Sequence, residues 1–335
     1  MEEINNFNTT KYFDPNKDKI NDDFENKVHQ FLKENELDLD IPERKENVQI
    51  LAESENKEIV SDFVIANDFK IANNIILSYK EGGNKLLVVK KTPEEKIREF
   101  SQLNHWGDLT VEEYLKEKKF SSPDIILPIE TIKRDGTVYR FYEALDMDLD
   151  QYIEKYGKLP LETALSICIR TCNSLNKLHE IKVVHADFLL ANIVFKDNIP
   201  KLIDFDNSVK NPSLDGKYRR DYIGGNRFSM APELLEERPV FDKTVDIYAA
   251  SAILYKLIEG HWPYNIEEQT RGMPFEEKIA EYKKIHQSGQ INFSDLTPNN
   301  IRIIIKKGME SDPKERYQDI KEFILDLLNF YNSEK

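Results

Sequence analysis

The stretch Leu178-His179-Glu180-Ile181-Lys182-Val183-Val184-His185-Ala186-Asp187-Phe188-Leu189-Leu190-Ala191-Asn192-Ile193-Val194 decides how this chain reads. A helical pattern ends, a short apolar strand follows, and His185, Asp187 and Asn192 come next. A second apolar run, residues 200–203, leads straight into Asp204-Phe205-Asp206. A hairpin here would bring Asp187, Asn192 and Asp204 to one end of a small sheet. Two carboxylates and an amide oxygen meeting there make a hard oxygen site suited to Mg2+ with a nucleotide phosphate. One carboxylate is left to orient a hydroxyl.

Working outward, residues 69–76 and 86–89 are apolar runs flanking Glu81-Gly82-Gly83-Asn84, a hairpin turn by its Gly-Gly pair. Runs 125–132 and 137–142 follow, joined by a turn at Arg134-Asp135-Gly136. Helical periodicity fits 92–102 and 111–119, and beyond residue 147 it fits 161–180, 243–259, 274–287, 298–309 and 315–331. Strands first and helices after predict an α+β chain in two lobes.

The quoted segments resemble the protein kinase family. His185-Ala186-Asp187 with Asn192 is similar to the catalytic loop, and Asp204-Phe205-Asp206 to the metal-binding triplet. Met230-Ala231-Pro232-Glu233 is similar to the motif closing the activation segment. Asp246 stands where the family has a loop-anchoring aspartate, and Arg316 in Asp312-Pro313-Lys314-Glu315-Arg316 where an arginine pairs with the glutamate at 233. The resemblance covers roughly residues 65–331. It implies a bilobal protein kinase-like fold, with a small antiparallel β-sheet N-lobe at 61–145 and a mainly helical C-lobe at 146–335.

The resemblance also assigns roles. Asp187 would orient the substrate hydroxyl, while Asn192 and Asp204 would hold Mg2+ or Mn2+. Lys90, in Leu87-Val88-Val89-Lys90, would hold the ATP phosphates; strand alternation lets only one of Lys90 and Lys91 face the cleft. Glu113 is the expected partner of Lys90, with Glu112 and Glu99 as alternatives. Backbone groups of Glu143 and Leu145 would bind adenine after the gatekeeper Tyr142, between Val88 and Val194.

Three departures stand out. The segment Ile71-Ala72-Asn73-Asn74-Ile75 lacks the glycines of a phosphate-covering loop. Ala186 and Leu189 replace an arginine that pairs with phosphorylated activation segments and a lysine that touches the γ-phosphate, so activity is expected to be independent of that phosphorylation. Asp206 replaces a glycine, putting negative charge beside Asp204, where it would hold a second cation or repel ATP. With Lys90, Asp187, Asn192 and Asp204 all present, the expectation is an active protein Ser/Thr kinase. The alternatives are a pseudokinase acting as a binding module and a small-molecule kinase. Residues 207–230 offer Ser208, Ser213, Tyr218, Tyr222 and Ser229 for autophosphorylation, with a basic cluster at Lys217, Arg219 and Arg220.

Composition bounds the rest. The 335 residues carry a net charge of −14, which argues against a general nucleic-acid or anionic-membrane binder. Residues 1–60 hold 16 acids and eight bases and read as an acidic extension, partly helical or disordered. Phe24, Val28, Phe31 and Leu32 mark one amphipathic helix in it, and the extension is expected to dock on the main domain or stay mobile. The longest apolar run, 247–258, is too short to span a bilayer, so no transmembrane segment is expected. Cys168 and Cys172, four apart on one helix face, read as small buried hydrophobes in a reducing cytoplasm. The expected partners are a protein substrate and a regulatory protein. The Asn, Lys and Ile content suggests an AT-rich genome and a bacterial effector delivered into host cells.

Overall fold

Period-two alternation between residues 57 and 143 builds a six-stranded antiparallel sheet in the computed structural model, which describes residues 15–41, 48–72, 75–83, 85–103, 110–210, 227–236 and 239–334. Helices α1 (Pro15–Glu34) and α2 (Val48–Ala52) come first, then strands β1 (Lys57–Val60), β2 (Phe63–Ala72), β3 (Ile75–Lys80) and β4 (Leu86–Pro93). Helices α3 (Glu94–Leu103) and α4 (Val111–Glu117) lead to β5 (Glu130–Arg134) and β6 (Thr137–Glu143). The strand order is β1-β2-β3-β4-β6-β5.

Alternation gives the sheet two apolar faces. Val60, Phe63, Ile65, Leu87, Val89 and Phe141 pack on one, with Phe63 and Phe141 stacked at 3.9 Å. Leu51, Val64, Ala66, Leu77, Val88 and Tyr142 pack on the other. The expected Gly-Gly turn joins β3 to β4, and Gly82 takes the φ of +73° that a side chain would resist. The run expected at 69–76 is divided between β2 and β3. The run expected at 125–132 is not one strand either: Pro128 has no N–H to give a ladder. Ile125 instead bridges to Leu202 in the other lobe, and only 130–134 pairs with β6.

The helical lobe begins with α5 (Leu149–Tyr156), which is not among the helices expected from periodicity. Its signal was Asp148, whose side chain accepts the Gln151 N–H at 2.8 Å as an N-cap. Helix α6 (Leu161–Glu180) and strand β7 (Val183–Val184) lead to a hairpin of β8 (Ile193–Lys196) and β9 (Ile199–Leu202), then β10 (Val209–Lys210). Helices α7 (Lys243–Glu259), α8 (Ile266–Gln269), α9 (Phe275–Gln287), α10 (Asn299–Gly308) and α11 (Ile320–Ser333) complete it. The last helix starts later than the expected 315, because Asp319 caps it and 312–316 is a turn. Cys168 and Cys172 are buried free thiols.

The acidic extension does not stand apart from the lobes. Phe24, Val28 and Phe31 of α1 are buried against the helical lobe, where α1 packs on α6 and α11. Ser166 donates to the Asn35 carbonyl at 3.0 Å, and Tyr331 to the Asn35 side chain. Helix α2 and strand β1 join the sheet instead, so a boundary at residue 60 cuts across the N-lobe.

Candidate active site between the lobes

Asp246, in the first turn of α7 and 1% exposed, organises the floor of the cleft. Its carboxylate accepts the backbone N–H groups of His185 at 2.9 Å and Ala186 at 2.8 Å, and His179 Nε2 at 2.8 Å. These bonds hold Ala186 at φ +59°, a left-handed conformation costing about 1–2 kcal/mol for a residue with a Cβ. The turn aims Asp187 at the cleft. His185 is fully buried and burial lowers its pKa, so the ring is neutral. Its Nε2 lies 3.3 Å from the Ile203 carbonyl and its Nδ1 accepts from the Asp187 N–H at 3.3 Å, which assigns the tautomer with the proton on Nε2.

The β8–β9 hairpin pairs Ile193 with Leu202, so Asn192 and Asp204 flank its open end. The Asn192 side-chain amide donates to the Asp187 carbonyl at 2.9 Å, leaving its oxygen as the acceptor. Asp204 sits at φ +63°, a conformation aspartate tolerates better than most residues. Burial, and then the charge of Asp204, push Asp187 up to about 6. Asn207 opposes that shift by donating to Asp187 Oδ2 at 2.9 Å. Asn207 was missed in the sequence; only its position beyond the Asp-Phe-Asp triplet hinted at it.

Above the floor, Lys90 Nζ lies 2.8 Å from both Asp204 oxygens and 2.8 Å from Asp206 Oδ2. Lys91 faces the other way, bonded to Glu58 and, at 2.8 Å, to Asn67. Glu113 is not the partner of Lys90. It is spent in a capping box, its carboxylate accepting the Thr110 N–H at 2.7 Å while Thr110 Oγ1 accepts the Glu113 N–H at 3.2 Å. Glu112 is the buried glutamate of α4, and it faces Arg140 at 3.5 Å rather than Lys90. Arg140, 2% exposed in β6, also donates to Asp206 Oδ1 at 2.6 Å. It too was missed, although an arginine inside the run Val138-Tyr139-Arg140-Phe141-Tyr142 signals a buried cation with a partner.

Burial opposes the charge on Asp206, but Lys90 and Arg140 outweigh it and hold that carboxyl far below the usual range. Burial likewise lowers Lys90, and the Asp206 and Asp204 charges more than reverse the effect. Asp206 is therefore neutralised by two cations, which counters the expectation that it would repel ATP or recruit a second cation.

Val88 and Val194 are buried, at 2% and 5% exposure. The segment after β6 is tied to the lower lobe: Asp146 N–H donates to the Phe195 carbonyl at 3.0 Å, and Phe195 N–H to the Met147 carbonyl at 2.8 Å. The Glu143 side chain pairs with Lys85 at 2.6 Å and with Lys196. Further down, Arg316 grips Glu233 through two bonds of 2.7 Å and also reaches the Glu310, Ser311 and Thr244 carbonyls. Ser208 and Ser229 are buried, and so unlike accessible phosphate acceptors. Asn73, Asn74, Ser213, Lys217, Tyr218, Arg219, Arg220, Tyr222 and residues 224–226 lie outside the described residues, as do the side chains of Ile71, Ala72, Ile75 and Glu99.

Among the described residues no group of three His, Cys, Asp or Glu side chains is placed to hold a metal alone. Asn192 and Asp204 supply hard oxygen donors that fit Mg2+ or Mn2+ completed by substrate phosphates, the way such ions bind with few protein ligands. No helix among the described residues is long and apolar enough to cross a membrane.

Comparison with known proteins agrees with this geometry. The chain is 28% identical over 211 residues to the probable serine/threonine-protein kinase CPE1738 of Clostridium perfringens, covering 62% of this chain and 29% of that protein. It is 28% identical over 238 residues to the serine/threonine-protein kinase ppk25 of Schizosaccharomyces pombe, covering 67% of this chain and 56% of that one. The matched region thus spans from under a third to just over half of these relatives. Residues 72–326 match the general pattern of the protein kinase domain, and the chain belongs to the protein kinase family.

Proposed function

We propose that this chain is an ATP-dependent protein Ser/Thr kinase using Mg2+ or Mn2+. The observation that carries the reading is the meeting of Asp187, Asn192, Asp204 and Lys90 through the contacts described above. In this reading Asp187 orients a protein hydroxyl and takes its proton as the hydroxyl oxygen bonds to the γ-phosphorus and the bond to ADP breaks. Asn207 fixes the Asp187 carboxylate, and Lys90 positions the α- and β-phosphates. Asn192 and Asp204 would hold the metal, which when bound neutralises phosphate charge. Glu143 and Leu145 would bind adenine through their backbone between Val88 and Val194. Protein substrates, a regulatory protein partner and a cytoplasmic setting belong to the same proposal.

The test is incubation with labelled ATP, Mg2+ or Mn2+ and a cell lysate, with Asp204→Ala as control. Phosphate incorporation that the variant loses is expected. Nucleotide binding without incorporation would favour the second reading, a binding module, which Leu189 in place of a phosphate-contacting cation supports. A small-molecule kinase is disfavoured by the Glu233–Arg316 brace, which relatives of that kind usually lack.

A further inference from the structure

Lys90 and Arg140 are direct cross-strand partners in the β4–β6 ladder, and their side chains are 15% and 3% exposed. Two buried cations facing each other across a strand pair repel and need an anion between them. Asp206 fills that place: one oxygen takes Lys90 at 2.8 Å and the other takes Arg140 at 2.6 Å. Among the described residues Glu112 pairs with Arg140 alone, at 3.5 Å, and its second oxygen is buried with no hydrogen-bond partner. Asp204 also touches Lys90, but in the proposed function that carboxylate is committed to the metal.

We propose that Asp206 is the positioning residue for Lys90, and that Arg140 links it to Glu112, so that a four-membered chain Lys90–Asp206–Arg140–Glu112 replaces a direct lysine–glutamate pair. The two unusual charges thereby explain each other. An aspartate ending the triplet would be a liability beside Asp204 unless a second cation faced Lys90, and Arg140 would be an uncompensated buried charge without Asp206. The chain also makes the triplet itself the support of the phosphate-binding lysine: a movement of 204–206 would disturb both the metal-holding carboxylate and Lys90. This inference rests on the proposed nucleotide site, and its test separates the two.

The affinities of ATP and of adenosine are measured by calorimetry, in EDTA and in Mg2+, for the unaltered protein, Asp206→Asn, Asp206→Glu and Glu112→Gln. Loss of lysine positioning weakens the phosphate-bearing ligand alone, whereas a merely structural role weakens both. Asp206→Asn is expected to weaken ATP about tenfold or more in EDTA, the size of one charge-assisted contact, with adenosine changed less than about twofold. Asp206→Glu is expected to recover part of that loss, and Glu112→Gln to cost less than about a third of the Asp206→Asn effect. A larger loss in Glu112→Gln than in Asp206→Asn, or equal losses for both ligands, overturns the proposal. Failure of the unaltered protein to bind ATP at all overturns the nucleotide site and this chain with it. Should Asp206→Asn fail to fold, the Asp206→Glu and Glu112→Gln comparison on ATP over adenosine decides alone.

Discussion

Below the cleft, one carboxylate on a buried helix, Asp246, fixes two backbone N–H groups and thereby the whole turn carrying Asp187. Above it, Lys90 is held by the carboxylates of Asp204 and Asp206, and through Asp206 by Arg140 of β6 and Glu112 of α4, mainly side chain to side chain. The floor is held by directional hydrogen bonds from a single carboxylate to backbone N–H groups 60 and 61 residues away along the chain. The roof is held by long-range charges whose balance involves two cations and three carboxylates. A site can thus keep its chemistry while the supports on one side are replaced, provided the charges there are replaced together.

The largest effect should come from the floor. Asp187→Asn is expected to lower phosphate transfer by about 10²–10⁴-fold. Melting temperature should hold or rise, because the variant removes a buried carboxylate whose charged form is disfavoured. A large fall in melting temperature would mean that the charge supports the loop. Breaking the brace should show in stability: Glu233→Gln leaves Arg316 buried and half-paired, a loss of about 3–5 kcal/mol in chemical denaturation.

On the roof, Lys90→Met should abolish transfer and also cost about 3 kcal/mol at neutral pH, since it strips a cation from the largely buried Asp206 and the part-exposed Asp204. The sign with pH is informative. Asp206 is depressed in the folded protein, so the stability it contributes is present above the ordinary aspartate range and is lost as pH falls through its folded value. The stability gap between Lys90→Met and the unaltered protein should therefore shrink on acidification; a gap independent of pH would argue that packing, not charge, is lost.

A pH profile tests the floor again. With Asp187 at about 6, kcat/KM should fall tenfold per pH unit below that value, as protonation removes the acceptor. His185, neutral and buried, should add no second limb near neutrality. The smallest effect belongs to Glu113→Ala, which loses one capping interaction and should cost about 0.3–1.5 kcal/mol with ATP affinity unchanged.

The fold was legible because its strongest signals are local: the loop around Asp187, the apolar alternation of the sheet and the long periodic helices. Individual residues were harder where the partner lies far along the chain. Glu112 and Glu113 are neighbours on a short helix, and only the packing of α4 against β6 decides which one is buried. Thr110, three residues before Glu113, was a capping-box signal that could have assigned it. Arg140 and Asp206 lie 66 residues apart, so each reads alone as a departure and only together as a pair.

Helix α1 and the ends of β2 and α11 bear on how this protein can be dissected. The span 72–326, marked out by similarity, begins at the last residue of β2 and ends midway along α11. A fragment trimmed to it would forfeit Phe24, Val28, Phe31, Leu327, Leu328 and Phe330, all buried. At roughly 1.5–3 kcal/mol for each such side chain, the loss is on the order of 10 kcal/mol, comparable to the entire stability of an ordinary domain. The minimal autonomous folding unit is accordingly larger than the homologous region, and a shortened expression product should aggregate where the longer chain does not.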